Sequence, residues 1–326
     1  MAIKSILCHM ANDERHRDRL ELAIQMTTRF QGHLDVLYNT APVTMPAGAT
    51  GRAASNVFLA EQREIAKAKA EDIRQELVDR FSKADCSHEY HQTEGDHVAT
   101  LAEYAHLSDL VIVSQAPPKG VTSSIALHHP EEIALEAGCA TLVLPHEENF
   151  WSPGRRVGTR VAVAWRNCKE AIRAVREAMP FLLEADEVHV FTEQEEARTL
   201  KGVGIGRYLS MHGVSSTVHA DVSDGGNVGE QLLARADAYD CDLLVMGAYS
   251  RARWREMLLG GVSEYILHHL DRPVLMSHSI RTLDAQRPGT RWGARPFFVG
   301  DPSRQLKKTK PTRRKIGIRM IPDQIM

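Results

Sequence analysis

DLLVMGAYSRARWREMLLGGVSEYILHHLDRPVLMSH, residues 242–278, is the stretch whose reading decides the fold. An apolar run at 243–246 stops at Gly247, an arginine-rich polar loop follows, Gly260 and Gly261 open an amphipathic helix, and a second apolar run fills 273–276. Two short apolar runs separated by a helix read as parallel strands, because parallel neighbours need a long crossover, and that crossover is nearly always right-handed. The loop after Gly247 then lies at the carboxyl end of the sheet, where open α/β sheets bind ligands. A glycine at 247 suits a sharp turn off the strand. Gly260 and Gly261 remove side chains where helix amides face an anion, so phosphate is the expected guest.

Outward from this stretch, the pattern repeats. Apolar strands are expected at 3–10, 34–38, 110–113 and 141–144, with a less apolar one at 87–92. Helices are expected from about 14 to 31, 53 to 83 and 97 to 106, and from Pro130 onward. In the second half, runs at 161–165, 188–191, 243–246 and 274–276 answer the first-half strands at 6–10, 34–38, 110–113 and 142–144. The segment HEENFWSPGRRVG, 146–158, has the charge, proline and glycines of a linker. The reading is an α/β chain of two repeated, doubly wound, five-stranded parallel-sheet domains, 1–145 and 159–279, with a basic tail at 280–326.

The words of 242–278 resemble the universal stress protein family, whose nucleotide binders carry glycine, two residues, glycine, nine residues, glycine, then Ser or Thr. Gly247 and Gly260 stand at the right separation, while Ser250 occupies the second glycine position and Gly261 the hydroxyl position. The resemblance implies two adenine-nucleotide-hydrolase-like domains and a non-catalytic binding or regulatory role in stress response. It further implies a dimer-like pairing of 141–144 with 274–276 inside one chain, and it leaves further homo-oligomers open. The ligand it implies is ATP or another adenine nucleotide. Its base would lie on Ala164, Trp165, Arg166 and Phe191, and its phosphates on Gly247, Ser250, Gly260, Gly261 and Val262, with Arg253 beside them. Family binders place an acid beyond the first strand; here Arg166 and Ala11 stand there, with Asp13 two residues past Ala11. After its fourth strand the first half reads SQAPPKGVTSSIALHHPEE, where Pro117 and Pro118 remove amide donors, as expected of a degenerate site.

Other patterns are weaker. Gly202, Gly204 and Gly206 follow a polar segment and read as a lead into a helix rather than a dinucleotide fingerprint. The adjacent pairs His128-His129 and His268-His269 point their rings apart, so no metal is expected from them. Cys168, near a helix start and Arg166, sits where a thiolate is favoured, but no partner base accompanies it, and no catalytic residue is assigned. Arg166, Arg251, Arg253 and Arg255 read either as a cationic mouth or as solvated charge. The five cysteines are scattered and form no CxxC pair, which fits a reducing cytoplasm. No apolar run reaches membrane-span length. The tail holds twelve Lys and Arg against three Asp, including KKTKPTRRK at 307–315, with Trp292, Phe297 and Phe298 upstream. It is read as disordered, with a nucleic-acid-associated arm as one alternative function. A nucleotide hydrolase or transferase on the same scaffold is the other.

Overall fold

The structure is a computed structural model that describes residues 2–11, 13, 15–40, 52–115, 130–146, 150–152, 154–193, 204–221, 226–248 and 261–278. The whole tail and the loop carrying Ser250, Arg251, Arg253, Arg255 and Gly260 lie outside these residues, as do Pro117, Pro118, His128 and His129.

The first half runs β1 (Ser5–Met10), α1 (His16–Phe30), β2 (His33–Thr40), α2 (Arg52–Phe81), β3 (Ser87–Glu94), α3 (His97–Ala105), β4 (Leu110–Ser114), α4 (Pro130–Glu136) and β5 (Ala140–Leu144). The second half runs β6 (Arg160–Ala164), α5 (Lys169–Glu177), α6 (Met179–Glu184), β7 (Glu187–Glu193), α7 (Ile205–Met211), β8 (Thr217–Asp221), α8 (Val228–Ala238), β9 (Leu243–Gly247), α9 (Val262–His268) and β10 (Val274–Ser277). The segment answering α1 is split at Ala178, because Pro180 has no amide to continue the ladder. The strand β8 supplies the fifth strand that the repeat required of the second half but that was not located in the sequence, its TVHAD being half polar.

One ten-stranded sheet results, ordered β3-β2-β1-β4-β5-β10-β9-β6-β7-β8. Each half therefore has the same internal order, read outward from the join. Every pairing is parallel except β5 with β10, where Val274, Leu275 and Met276 face Val143, Leu142 and Thr141 antiparallel. The expected intrachain pairing of 141–144 with 274–276 is thus present. It merges what the sequence suggested as two sheets into one, and it covers two fully buried, mostly apolar edges that would otherwise be free to associate.

Helices cover both faces, so the central strands are apolar on both sides. On one face Leu20, Ala23 and Ile73 pack with Ile6, Leu34 and Ile112, and across the join with Val163 and Leu275. On the other, Leu101 and Ile133 pack with Leu7 and Val111, and Leu232 and Ile266 with Leu244 and Val274. The same aspartate clamp starts both halves. Asp109 accepts the amides of Lys4 and Ser5 at 2.7 and 3.0 Å, and Asp242 those of Gly158 and Thr159, both at 3.0 Å.

Candidate functional site

The carboxyl ends of β6, β7 and β9 open into a cleft of about 190 Å³. Its floor is Ala164 at the end of β6 with Trp165 and Arg166 just beyond, Phe191 and Thr192 on β7, and Met246, Gly247 and Ala248 at the end of β9. The first turn of α5 forms one wall through Cys168, Glu170 and Ala171. The other wall is α8, through Val228, Gln231, Leu232 and Arg235, and Val262 closes the rim. Of the residues expected from sequence, Ala164, Trp165, Arg166, Phe191, Gly247 and Val262 come together here. Gly261 is the N-cap of α9, and a Cβ on it would meet nothing within 4 Å. Ser250, Arg253 and Gly260 lie outside the described residues.

Backbone bonds hold the mouth in shape. The Trp165 amide donates to the Phe191 carbonyl at 2.9 Å, the Cys168 amide to the Arg166 carbonyl at 2.7 Å, and the Ala248 amide to the Ser277 carbonyl at 2.8 Å. Two features were not found in the sequence. Thr192 is only 6% exposed, yet its hydroxyl has no hydrogen-bond partner among the described residues. Gln231 and Arg235 bring polar groups into the cleft from α8, a helix that the sequence does not connect with the site.

Gly247 corrects an expectation. It does not itself turn the chain off the strand; it is the last residue of β9, paired with Ser277, and the Ala248 amide still bonds the Ser277 carbonyl. Its lack of a side chain matters because α5 starts against it. A Cβ at 247 would lie 2.7 Å from both the Ala171 nitrogen and the Glu170 carbonyl carbon. Those atoms are backbone and cannot swing aside. Gly247→Ala should therefore lose about 1–3 kcal/mol in urea unfolding, as overpacking does. Gly261→Ala, with open space around it, should stay within about 1 kcal/mol of the parent.

Cys168 also departs from its activated reading. It is the N-cap of α5, but burial pushes its thiol pKa up, with the Glu170 charge adding to the effect. It is not poised as a thiolate at neutral pH. His269 stacks on Tyr265 with ring centroids 4.1 Å apart, and its Nδ1 bonds the Tyr265 carbonyl, consistent with a structural role.

The same place in the first half is occupied by the protein itself. The ladders align Ile6 with Val161, since each sits between equivalent partners in β2 and β4 or β7 and β9. Counting on, His9 stands where Ala164 does and Ser114 where Gly247 does. His97 and Val228 are both the first residue of their helix. His9 and His97 meet edge to face with centroids 5.7 Å apart, filling the space between strand end and helix that the second half leaves open. From α1, the fully buried Arg19 donates to the His9 carbonyl at 2.5 Å, to Asp13 at 2.7 Å and to the Ser114 hydroxyl. Burial pushes the Asp13 carboxyl up, but the Arg19 charge and hydrogen bonds outweigh it and hold the pKa below the ordinary value. Asp13 thus serves an internal ion pair.

Comparison with known proteins agrees with this architecture. Residues 160–278 match the sequence model of the universal stress protein family. A universal stress protein from Archaeoglobus fulgidus superposes with a TM-score of 0.64 at 17% identity, over 84% of this chain and 96% of its own. A functionally unknown protein from Pseudomonas aeruginosa does so with a TM-score of 0.54 at 20% identity, over 85% of this chain and 93% of its own. No curated protein matches the sequence. The match to the universal stress protein family is confined to residues 160–278, and the fold of the chain is the α/β arrangement seen in those structures. Among the described residues, no helix is long and apolar enough to cross a membrane.

Proposed function

We propose that the chain is a tandem universal stress protein acting as a ligand-binding module, with its one working site in the second half and ATP or another adenine nucleotide as the ligand. The observation that carries this reading is the asymmetry of the two halves. The cleft between β6, β7, β9 and α8 is open and mostly apolar, with a buried hydroxyl at Thr192 that has no partner among the described residues, whereas its counterpart is filled by His9, His97 and Arg19. A planar base fits between the Phe191 side of the floor and α8. A polar edge on that base would satisfy Thr192. The phosphates would lie toward Gly247, which lines the cleft, and Gly261, around which a Cβ would meet nothing within 4 Å. The proposed role is binding rather than catalysis, since Glu170 is the sole carboxylate lining the cleft among the described residues.

The test is a thermal shift of the full chain with ATP, ADP and cyclic AMP, alongside mass spectrometry of any small molecule released on denaturation. At a hundredfold excess over Kd, binding stabilises by about 2.7 kcal/mol, roughly 5 °C for a body of this size. A double variant, Ala164→His with Val228→His, copies the first-half filling and should lose that shift while remaining folded. A parent that carries no nucleotide and shows no shift with any of the three would sink the nucleotide reading.

A further inference from the structure

At the outer edge of the first half, β2 and β3 bring four metal-type ligands onto one face, remote from the cleft. His33 and Asp35 alternate with the buried Leu34 and Val36, and the register sets His33 beside Ser87, Asp35 beside Glu89 and Leu37 beside His91. One ligand atom from each of His33, Asp35 and Glu89 lies within 4.8 Å of the other two. Ligands at zinc distances stand about 3.3–3.6 Å apart in a tetrahedron, so modest rotamer changes in these part-exposed side chains close the set on one ion.

Three features favour a cation here over chance proximity. Asp35 and Glu89 face each other directly across the ladder, an arrangement of like charges that destabilises a strand pair unless something positive lies between them. The imidazole of His33 is oriented for ligation: its Nδ1 bonds the Ser87 hydroxyl at 2.7 Å, leaving Nε2 turned toward Asp35 at 3.7 Å. The Asp35 carboxylate is steadied in turn by His91 Nε2 at 2.8 Å, and His91 packs against Tyr104 of α3. Ligands held by outer hydrogen bonds are the usual construction of a metal centre. The second half supplies an internal contrast. There the ladder places His189 at the position of Asp35 and Thr217 at that of Glu89, and His189 bonds His219 at 3.1 Å, so the opposed carboxylates are missing.

We infer that His33, Asp35 and Glu89 bind one divalent transition-metal ion of the zinc class, through one imidazole nitrogen and two carboxylate oxygens, with Ser87 and His91 as positioning residues. Water completes the coordination, and the ion ties the outermost strand to its neighbour. The test uses the full chain stripped with a chelator and titrated with zinc against a chromophoric competitor, comparing the parent with Glu89→Gln, His33→Gln and His91→Ala. Because other histidines and the cysteines can also take zinc, the deciding quantity is the difference in stoichiometry between parent and variants. Expected are one equivalent fewer for Glu89→Gln and for His33→Gln, and unchanged stoichiometry with roughly tenfold weaker affinity for His91→Ala. Glu89 is exposed, so its variant keeps the fold, verified by a metal-free melting point at or above the parent's, as relief of the opposed charges predicts. Cobalt bands in the visible spectrum should appear in the parent and vanish in the first two variants. Equal stoichiometry and affinity in all four proteins, or no saturable zinc binding in the parent, overturns the assignment.

Discussion

Arg19→Leu should be the most damaging single change in the first half, lowering stability by about 3–5 kcal/mol in urea unfolding. Arg19 is 1% exposed and satisfies three groups at once: the His9 carbonyl, the Ser114 hydroxyl and the Asp13 carboxylate. Leucine fills much of the same volume but leaves a part-buried carboxylate and a buried carbonyl without their donor. Their desolvation penalty is then uncompensated, and that penalty exceeds the net worth of the pair itself. Removing Asp13 as well, in Arg19→Leu with Asp13→Ala, should recover part of the loss, because no orphaned charge remains. A double-mutant cycle reads the coupling, expected at about 1–3 kcal/mol. A single-variant loss under about 1 kcal/mol would mean that the guanidinium is not the plug described. The pH dependence has a definite sign. The folded-state pKa of Asp13 is depressed, so its contribution is complete above the unfolded value of about 3.9 and is lost as pH falls through the lower folded value.

The second large effect comes at milder acidity and from His9. Burial, then the charges of Arg19 and His97, lower its pKa to about 3, with Asp13 opposing them. In the unfolded chain it titrates near 6.5, so below about pH 6.5 the unfolded state binds a proton that the folded state refuses. Stability is therefore fully present above that value and falls by up to about 1.4 kcal/mol per pH unit as pH drops toward 3. Between about pH 6.5 and 4 the loss from this residue should reach roughly 3 kcal/mol. His9→Phe keeps an aromatic ring against His97 while removing the titration, so its urea midpoint should depend less on pH over that interval. Identical pH profiles for parent and variant would rule His9 out as the source.

The frame of this molecule was legible because it is written in local patterns. Short apolar runs at even spacing, repeated twice, are the direct imprint of strands buried on both faces, while the pairing of the final strands came from the family resemblance, with an uncovered edge as its physical motive. The cleft was partly legible for the same reason: Ala164, Trp165, Arg166, Phe191, Gly247 and Val262 all sit at strand or helix ends, which topology alone brings together. The filling of the first half was not. His9 lies in an ordinary strand word, ILCHM, and nothing nearby shows that its partners are His97 and Arg19, eighty-eight and ten residues away. Gly247 was marked for a wrong reason, since a glycine at a strand end serves a turn or a close approach equally well in sequence. Only the placement of α5 distinguishes them. Thr192, Gln231 and Arg235 escaped because their importance depends on what faces them rather than on their spacing.

The join between β5 and β10 imposes an order of events on a growing polypeptide. Strand β10 is the last of the ten to be synthesised, yet it occupies an interior position, between β5 and β9. Until residues 274–277 leave the ribosome, the edge of β5, with Ala140 to Leu144 all destined for burial, has no partner. A nascent chain paused before that point presents an adhesive apolar border to its neighbours on a polysome. Translation through the closing word VLMS is what removes this hazard.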